Sequence, residues 1–265
     1  MTIAAGFKCK DGILLCTDSE ITLTQGKTYQ AKIFKIQPAS YLAYAGDVDF
    51  AKELVDILRR ATAGKAGRAI LVEAQRVYKD FYRKHFTQPP KNEKTFASIL
   101  LTARTENGVT LCYGNGRHWS EVEEYQLLGA GQEVGEALFR PLFDSSISTA
   151  TMGQMAIYAL ARIKGFVQGC GGETRLRELL HDSTVVPWPR WLSSDKVGRI
   201  ERDFKFFDKE ILPLALGFVD TGTDQKAFQE LLDTVILRLK THRAEILRKR
   251  EPVKWGSWIQ EWDAP

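Results

Sequence analysis

Residues 3–9 and 13–17 are two short, mostly apolar runs with Asp11-Gly12 between them. Both read as strands, and Asp-Gly between two apolar runs predicts a hairpin whose turn needs a positive φ. KIFKI (32–36) alternates and predicts a third strand; SYLAYAG (40–46) predicts a fourth, closed by Gly46. The period then changes. Phe50, Leu54, Ile57 and Leu58 recur at helical spacing, and Ile70, Leu71, Ala74, Val77, Tyr78 and Phe81 form the apolar face of a second helix. TQPPKNEK (87–94) predicts a loop. TFASILLTAR, Asn107-Gly108 and VTLCYG predict another hairpin, and YQLLGAG a short strand ending in glycines. QEVGEALFRPLF and TMGQMAIYALARIKGFV predict two more helices. The order is strands, two helices, strands, two helices.

Beyond Gly172 the pattern loses its period. DSTVVPWPRWLSS holds two prolines and two tryptophans and is incompatible with a long helix. A long amphipathic helix is predicted over 226–249, with Phe228, Leu231, Leu232, Val235, Leu239 and Ile246 along one side. Trp255, Trp258 and Trp262 follow it. The expected organisation is a core over 1–183 and a largely helical extension over 184–265, packed on the core or on a neighbouring subunit.

Composition narrows the class. Of 265 residues 44% are apolar and 26% charged, which fits a folded core, and no run of 18 apolar residues predicts a membrane span. The opening lacks the basic start and cleavage site of a secretory leader, so a cytoplasmic location is expected. Cys9, Cys16, Cys112 and Cys170 are scattered without a CxxC and read as reduced thiols. A net charge of +4 does not by itself imply nucleic acid. The basic stretch RLKTHRAEILRKREPVK reads as a solvated helix face ahead of a nucleic-acid contact. The four histidines lack metal-ligand spacing, and there is no GxSxG elbow or phosphate loop. Neither a metal nor a cofactor is expected.

Several segments resemble the proteasome β-subunit type of N-terminal nucleophile hydrolase, a group with HslV-like and Anbu-like bacterial relatives. KDGILLCTDSEIT behind a second-position threonine resembles the opening of an active β subunit. AKIFKI and AYAGDVDFAKEL resemble its lysine strand, oxyanion glycine and first helix. LLGAGQEVGEAL and GCGGETRLREL resemble its later glycine turns. The resemblance spans about the first 180 residues. It implies an α+β four-layer αββα sandwich, two antiparallel sheets packed face to face with helices outside each, plus a helical C-terminal extension. Burying both faces of each sheet is also what physics requires.

The resemblance further implies a site. Thr2, once Met1 is removed, would carry both a hydroxyl and a free α-amine able to take its proton. Asp18 would orient and charge-balance a lysine. Lys32 would be that lysine, its cation lowering the hydroxyl pKa; Lys35 is the competing assignment, on the opposite strand face from Phe34 and Ile36. The Gly46 N–H would form the oxyanion hole. Two departures stand out: Ala130 occupies the place of a family serine, and Val167 falls near a family aspartate. The leading expectation is a threonine-type hydrolase cleaving peptide amides, self-associated into a ring or related homo-oligomer, with an unfoldase as a possible partner. The rivals are an inactive structural or assembly subunit of the same fold, and a small-amide hydrolase.

Overall fold

The computed structural model describes residues 2–23, 26–85, 97–181, 185–186, 194–206, 208–209 and a set of positions between 226 and 244. The chain divides into two compact units, Met1–Arg202 and Asp203–Pro265. In the second unit the described residues from 226 to 244 are helical. The apolar side predicted for that helix, the loop at 87–94 and all six tryptophans except Trp119 lie outside the described residues.

The first unit is built on two five-stranded antiparallel sheets. One runs in the order β10 (Tyr125–Leu128), β1 (Ala4–Cys9), β2 (Gly12–Thr17), β11 (Arg175–Leu180), β12 (Val185–Val186). The other runs β5 (Ile33–Gln37), β6 (Ser40–Gly46), β7 (Ala97–Thr105), β8 (Gly108–Asn115), β9 (His118–Glu121). A separate hairpin joins β3 (Glu20–Leu23) to β4 (Gly26–Tyr29).

Strand alternation sorts the side chains into layers. Ala4, Ile13, Leu15 and Leu179 from the first sheet meet Tyr41, Ala43, Leu100 and Leu111 from the second in a dry layer between them. At Gly6 the sheets close so tightly that an added Cβ would stand 3.0 Å from Leu111. On the far face of the second sheet, Leu42, Tyr44, Ile99 and Leu101 pack against α1 (Val48–Ala61) and α2 (Arg68–His85) through Leu54, Leu58, Val77 and Tyr78. On the far face of the first sheet, Phe7 stacks among Phe139, Phe143 and Tyr125, next to α3 (Gln132–Phe139) and α4 (Thr149–Phe166). The result is the expected αββα sandwich. Asp47 caps α1, its carboxylate accepting from Phe50 N at 2.9 Å, and Ser148 caps α4.

Several elements escape the hydrophobic pattern, β12 and the helix over Ser194–Phe206 among them. The β3–β4 hairpin and β9 are four-residue strands, too short for a period to show. In β11 only Leu176 and Leu179 are fully buried, and the charged residues between them break the alternation. The first hairpin also differs from expectation. Cys9 pairs with Gly12, so Lys10 and Asp11 form the turn, and Gly12 is not among the residues with positive φ. Glycine is needed there for another reason: a Cβ would stand 2.4 Å from the Leu179 carbonyl of β11. Asp11 instead reaches α4, where its carboxylate accepts from Thr149 N at 2.7 Å.

All four cysteines are free and buried. Burial pushes the thiols of Cys9, Cys112 and Cys170 up to about 12, and raises Cys16 as well. Unfolded thiols ionise from about pH 9 while the native ones stay protonated. Native protein therefore binds more protons above that pH, and stability falls as pH climbs from 9 towards 12, by up to about 1.4 kcal/mol per unit for each thiol. Lys32, whose ammonium is pulled down by burial, acts in the opposite sense but is one group against four. The expected result is a urea midpoint, measured under reducing conditions, that drops steeply between pH 9 and 11. A flat profile would mean that the thiols are hydrated.

Candidate active site

The extended segment leading into β1 places Thr2 at one end of the sandwich, 4% exposed. Its carbonyl accepts from Gly131 N at 3.4 Å and lies against Gly129, where a Cβ would stand 2.2 Å from that oxygen. Gly129 has φ +91, so glycine is required there both by its conformation and by the approach of the chain start.

Lys32 precedes β5 and points into this end with no exposed surface. Its ammonium donates to Thr2 Oγ1 at 2.7 Å, to Asp18 Oδ1 at 2.7 Å and to the Glu20 carbonyl. All three of its protons are thus used. Lys35 is exposed and takes no part, which separates the two lysines.

Asp18, also fully buried, follows β2. Besides Lys32, its Oδ1 accepts from Ile3 N at 3.2 Å; its Oδ2 accepts from Gly171 N at 3.0 Å and Glu20 N at 3.3 Å. One ammonium and three backbone amides surround the carboxylate. A buried charge is tolerated only with such satisfaction. Burial pushes the Lys32 ammonium below its ordinary range, and the Asp18 carboxylate opposes that shift.

Gly46 ends β6 with φ +125, exposed, one residue beyond Ala45, whose Cβ packs against Gly129. It therefore borders the end of the sandwich that holds Thr2. Ala130 is exposed and brings no hydroxyl, and Val167 is the half-buried C-cap of α4.

Sequence reading missed three contributors. Glu20 is 4% exposed; its carbonyl binds Lys32 and its carboxylate pairs with Lys27 at 2.9 Å. Gly171 supplies its N–H to Asp18 and its carbonyl to Ser19 N and Glu20 N. Cys170 sits beside Asp18 with its thiol held protonated, first by burial and then by that carboxylate. The Gly-Gly pair in GCGG was the available signal, since a Cβ on Gly171 would meet the Glu20 carboxylate at 2.2 Å. Among the described residues no group of three or more His, Cys, Asp or Glu side chains is placed to hold a metal, and no helix is long and apolar enough to cross a membrane.

Comparison with known proteins adds the lineage. A family model described as "Proteasome subunit" matches residues 2–164. The proteasome subunit alpha of Methanococcus vannielii is 27% identical over 168 residues, which is 61% of this chain and 64% of that protein. The proteasome subunit alpha of Methanococcus maripaludis is 26% identical over the same length. The chain thus spans about 64% of the length of the curated relatives it matches. Among solved structures, Anbu (ancestral beta-subunit) from Yersinia bercovieri superposes with a TM-score of 0.65 at 12% identity, over 80% of this chain and 96% of that one, a likeness of fold.

These matches correct the leading expectation of a threonine-type peptidase. The curated relatives are α-type subunits, the non-catalytic class, and not active β subunits. The reading as a hydrolase engaged in proteolysis falls with it. The physical reason for the error is that Thr2, Asp18, Lys32 and Gly46 form a pattern that packing alone can require. A buried lysine needs a carboxylate and polar neighbours whether or not it assists a reaction.

Proposed function

We propose, from the premise that this chain belongs to the proteasome subunit family, that it serves as a structural, non-proteolytic subunit that assembles with further copies of itself. The observation that carries this reading is the kinship with α-type subunits over 168 residues. The site is consistent with it. The Thr2 hydroxyl accepts the Lys32 proton inside a closed set of bonds that ties the chain start to Asp18 and Glu20. Ala130 adds no hydroxyl where the resemblance implies one. In this reading Thr2, Lys32 and Asp18 are a pin that fixes the open end of the sandwich, and Gly46 is the turn leading into α1.

Copies related by one repeated contact close into a ring when the rotation permits. Residues 184–265 are then the added segment that sets which neighbours the core accepts. The chain requires neither a peptide substrate of its own nor an unfoldase.

Light scattering behind size exclusion, together with intact mass after incubation with a β-lactone probe, tests the proposal. The expected result is a multi-subunit particle with no adduct. A monomer at micromolar concentration would remove the assembly role. An adduct that disappears in Thr2→Ala would remove the non-proteolytic one.

A further inference from the structure

The buried centre is held from outside the span matched by the family. Gly171 and Gly172 form the turn after α4, and this turn is clasped from both sides. On the inner side Gly171 N donates to Asp18 Oδ2, its carbonyl accepts from Ser19 N and Glu20 N, and Ser19 Oγ accepts from Glu173 N at 2.8 Å. Gly172 has φ +70, and a Cβ there would stand 2.3 Å from Ser19 Oγ, so the fit is close.

On the outer side lies Lys164, in the last turn of α4. Its ammonium donates to the Gly172 carbonyl at 2.9 Å, to Thr174 Oγ1 at 2.9 Å and to Glu201 Oε1 at 2.6 Å. Thr174 Oγ1 donates in turn to the same Glu201 oxygen. Lys164 and Glu201 side chains are 10% and 14% exposed, so the pair is shielded from salt and solvent far more than a surface ion pair. Glu201 belongs to α5 (Ser194–Phe206), which also buries Val197. That helix lies entirely beyond residue 164, where the family match ends.

We propose that α5 is a brace for the buried centre: the Glu201 carboxylate, by holding Lys164 and Thr174 together, fixes the glycine turn that supplies one of the amide donors to Asp18. The chain of contacts runs Glu201, Lys164, Gly172, Gly171, Asp18, Lys32, Thr2, with a hydrogen bond or a peptide bond at every step. Anything that draws α5 away loosens the turn, and through it the Asp18 carboxylate. The brace makes no demand on whether the subunit assembles, so the two proposals fail separately.

Backbone amide exchange of the full chain tests it. Glu201→Gln keeps the shape of the side chain and removes the charge that balances Lys164. Exchange at Gly171, Ser19 and Glu20 is expected to quicken by about tenfold or more, while Leu101 and Leu111 in the opposite sheet keep their rates. Arg199→Ala, exposed on the same helix, is expected to change neither set. Unaltered exchange at Gly171 would overturn the proposal, and so would a uniform rise across both sheets, which marks a global loss of stability. Should Glu201→Gln not fold, Thr174→Val removes only the hydroxyl that joins the pair, and is read in the same way.

Discussion

Lys32→Met is expected to lower the stability of the subunit by about 3–5 kcal/mol, the usual cost of removing one partner from a buried ion pair. Methionine matches the lysine stem in length, so the change isolates the charge. Asp18 is left fully buried with three amide donors and no counter-ion, and the Glu20 carbonyl and Thr2 hydroxyl lose their shared donor. Asp18→Asn in the same background neutralises the stranded carboxylate; its single amide oxygen, placed where Oδ2 stands, still accepts from Gly171 N and Glu20 N but leaves Ile3 N without its acceptor, so the double variant should regain part of the loss, on the order of 1 kcal/mol. Urea denaturation at pH 7 of the four proteins reads both terms. A Lys32→Met variant within about 1 kcal/mol of the parent would mean that water reaches the pair, and the pin would lose its basis.

Phe7→Ala should act on a different layer with comparable size. Phe7 has no exposed surface, and its ring centroid lies 4.8 Å from Phe139, 5.8 Å from Tyr125 and 5.9 Å from Phe143. Removing a buried phenylalanine costs about 3–5 kcal/mol through lost burial and the cavity left behind. The loss should be uneven. Amides of α3 are expected to exchange faster than those of α2, which packs on the other sheet through Tyr78 and Phe81 and never meets Phe7. Equal acceleration in both helices would show that the outer layers do not respond separately.

The two layers also differ in how far the sequence disclosed them. Apolar runs bounded by turn residues locate β1, β2 and β6, and the shorter runs ILL and LCY on either side of Asn107-Gly108 locate β7 and β8. Helical spacing locates the four helices that cover the sheets: Leu54 and Leu58 stand one turn apart in α1, and Ile70, Ala74 and Tyr78 stand one turn apart in succession in α2. β11 stays hidden, since Arg175, Arg177 and Glu178 outnumber its two fully buried leucines. Asp11-Gly12 marks a real hairpin by a wrong argument, since Gly12 answers to the approach of β11 and not to the turn.

At the candidate site, resemblance rather than pattern brought Thr2, Asp18 and Lys32 together, and the structure places Thr2 and Asp18 within hydrogen-bonding distance of the Lys32 ammonium. Glu20 and Gly171 contribute through backbone atoms, which no residue type announces. The activity was misread because the side chains that could serve a reaction are also those that a buried cation demands.

The partners of Asp18 come from Ile3, Glu20, Lys32 and Gly171, so the shell closes only when segments some 150 positions apart meet. On the ribosome, the stretch containing Asp18 and Lys32 emerges long before the amide it waits for. Until then the carboxylate and ammonium keep water as their partner. Docking of the late turn completes the shell, so this end of the sandwich is expected to consolidate late, at a rate tied to long-range chain closure.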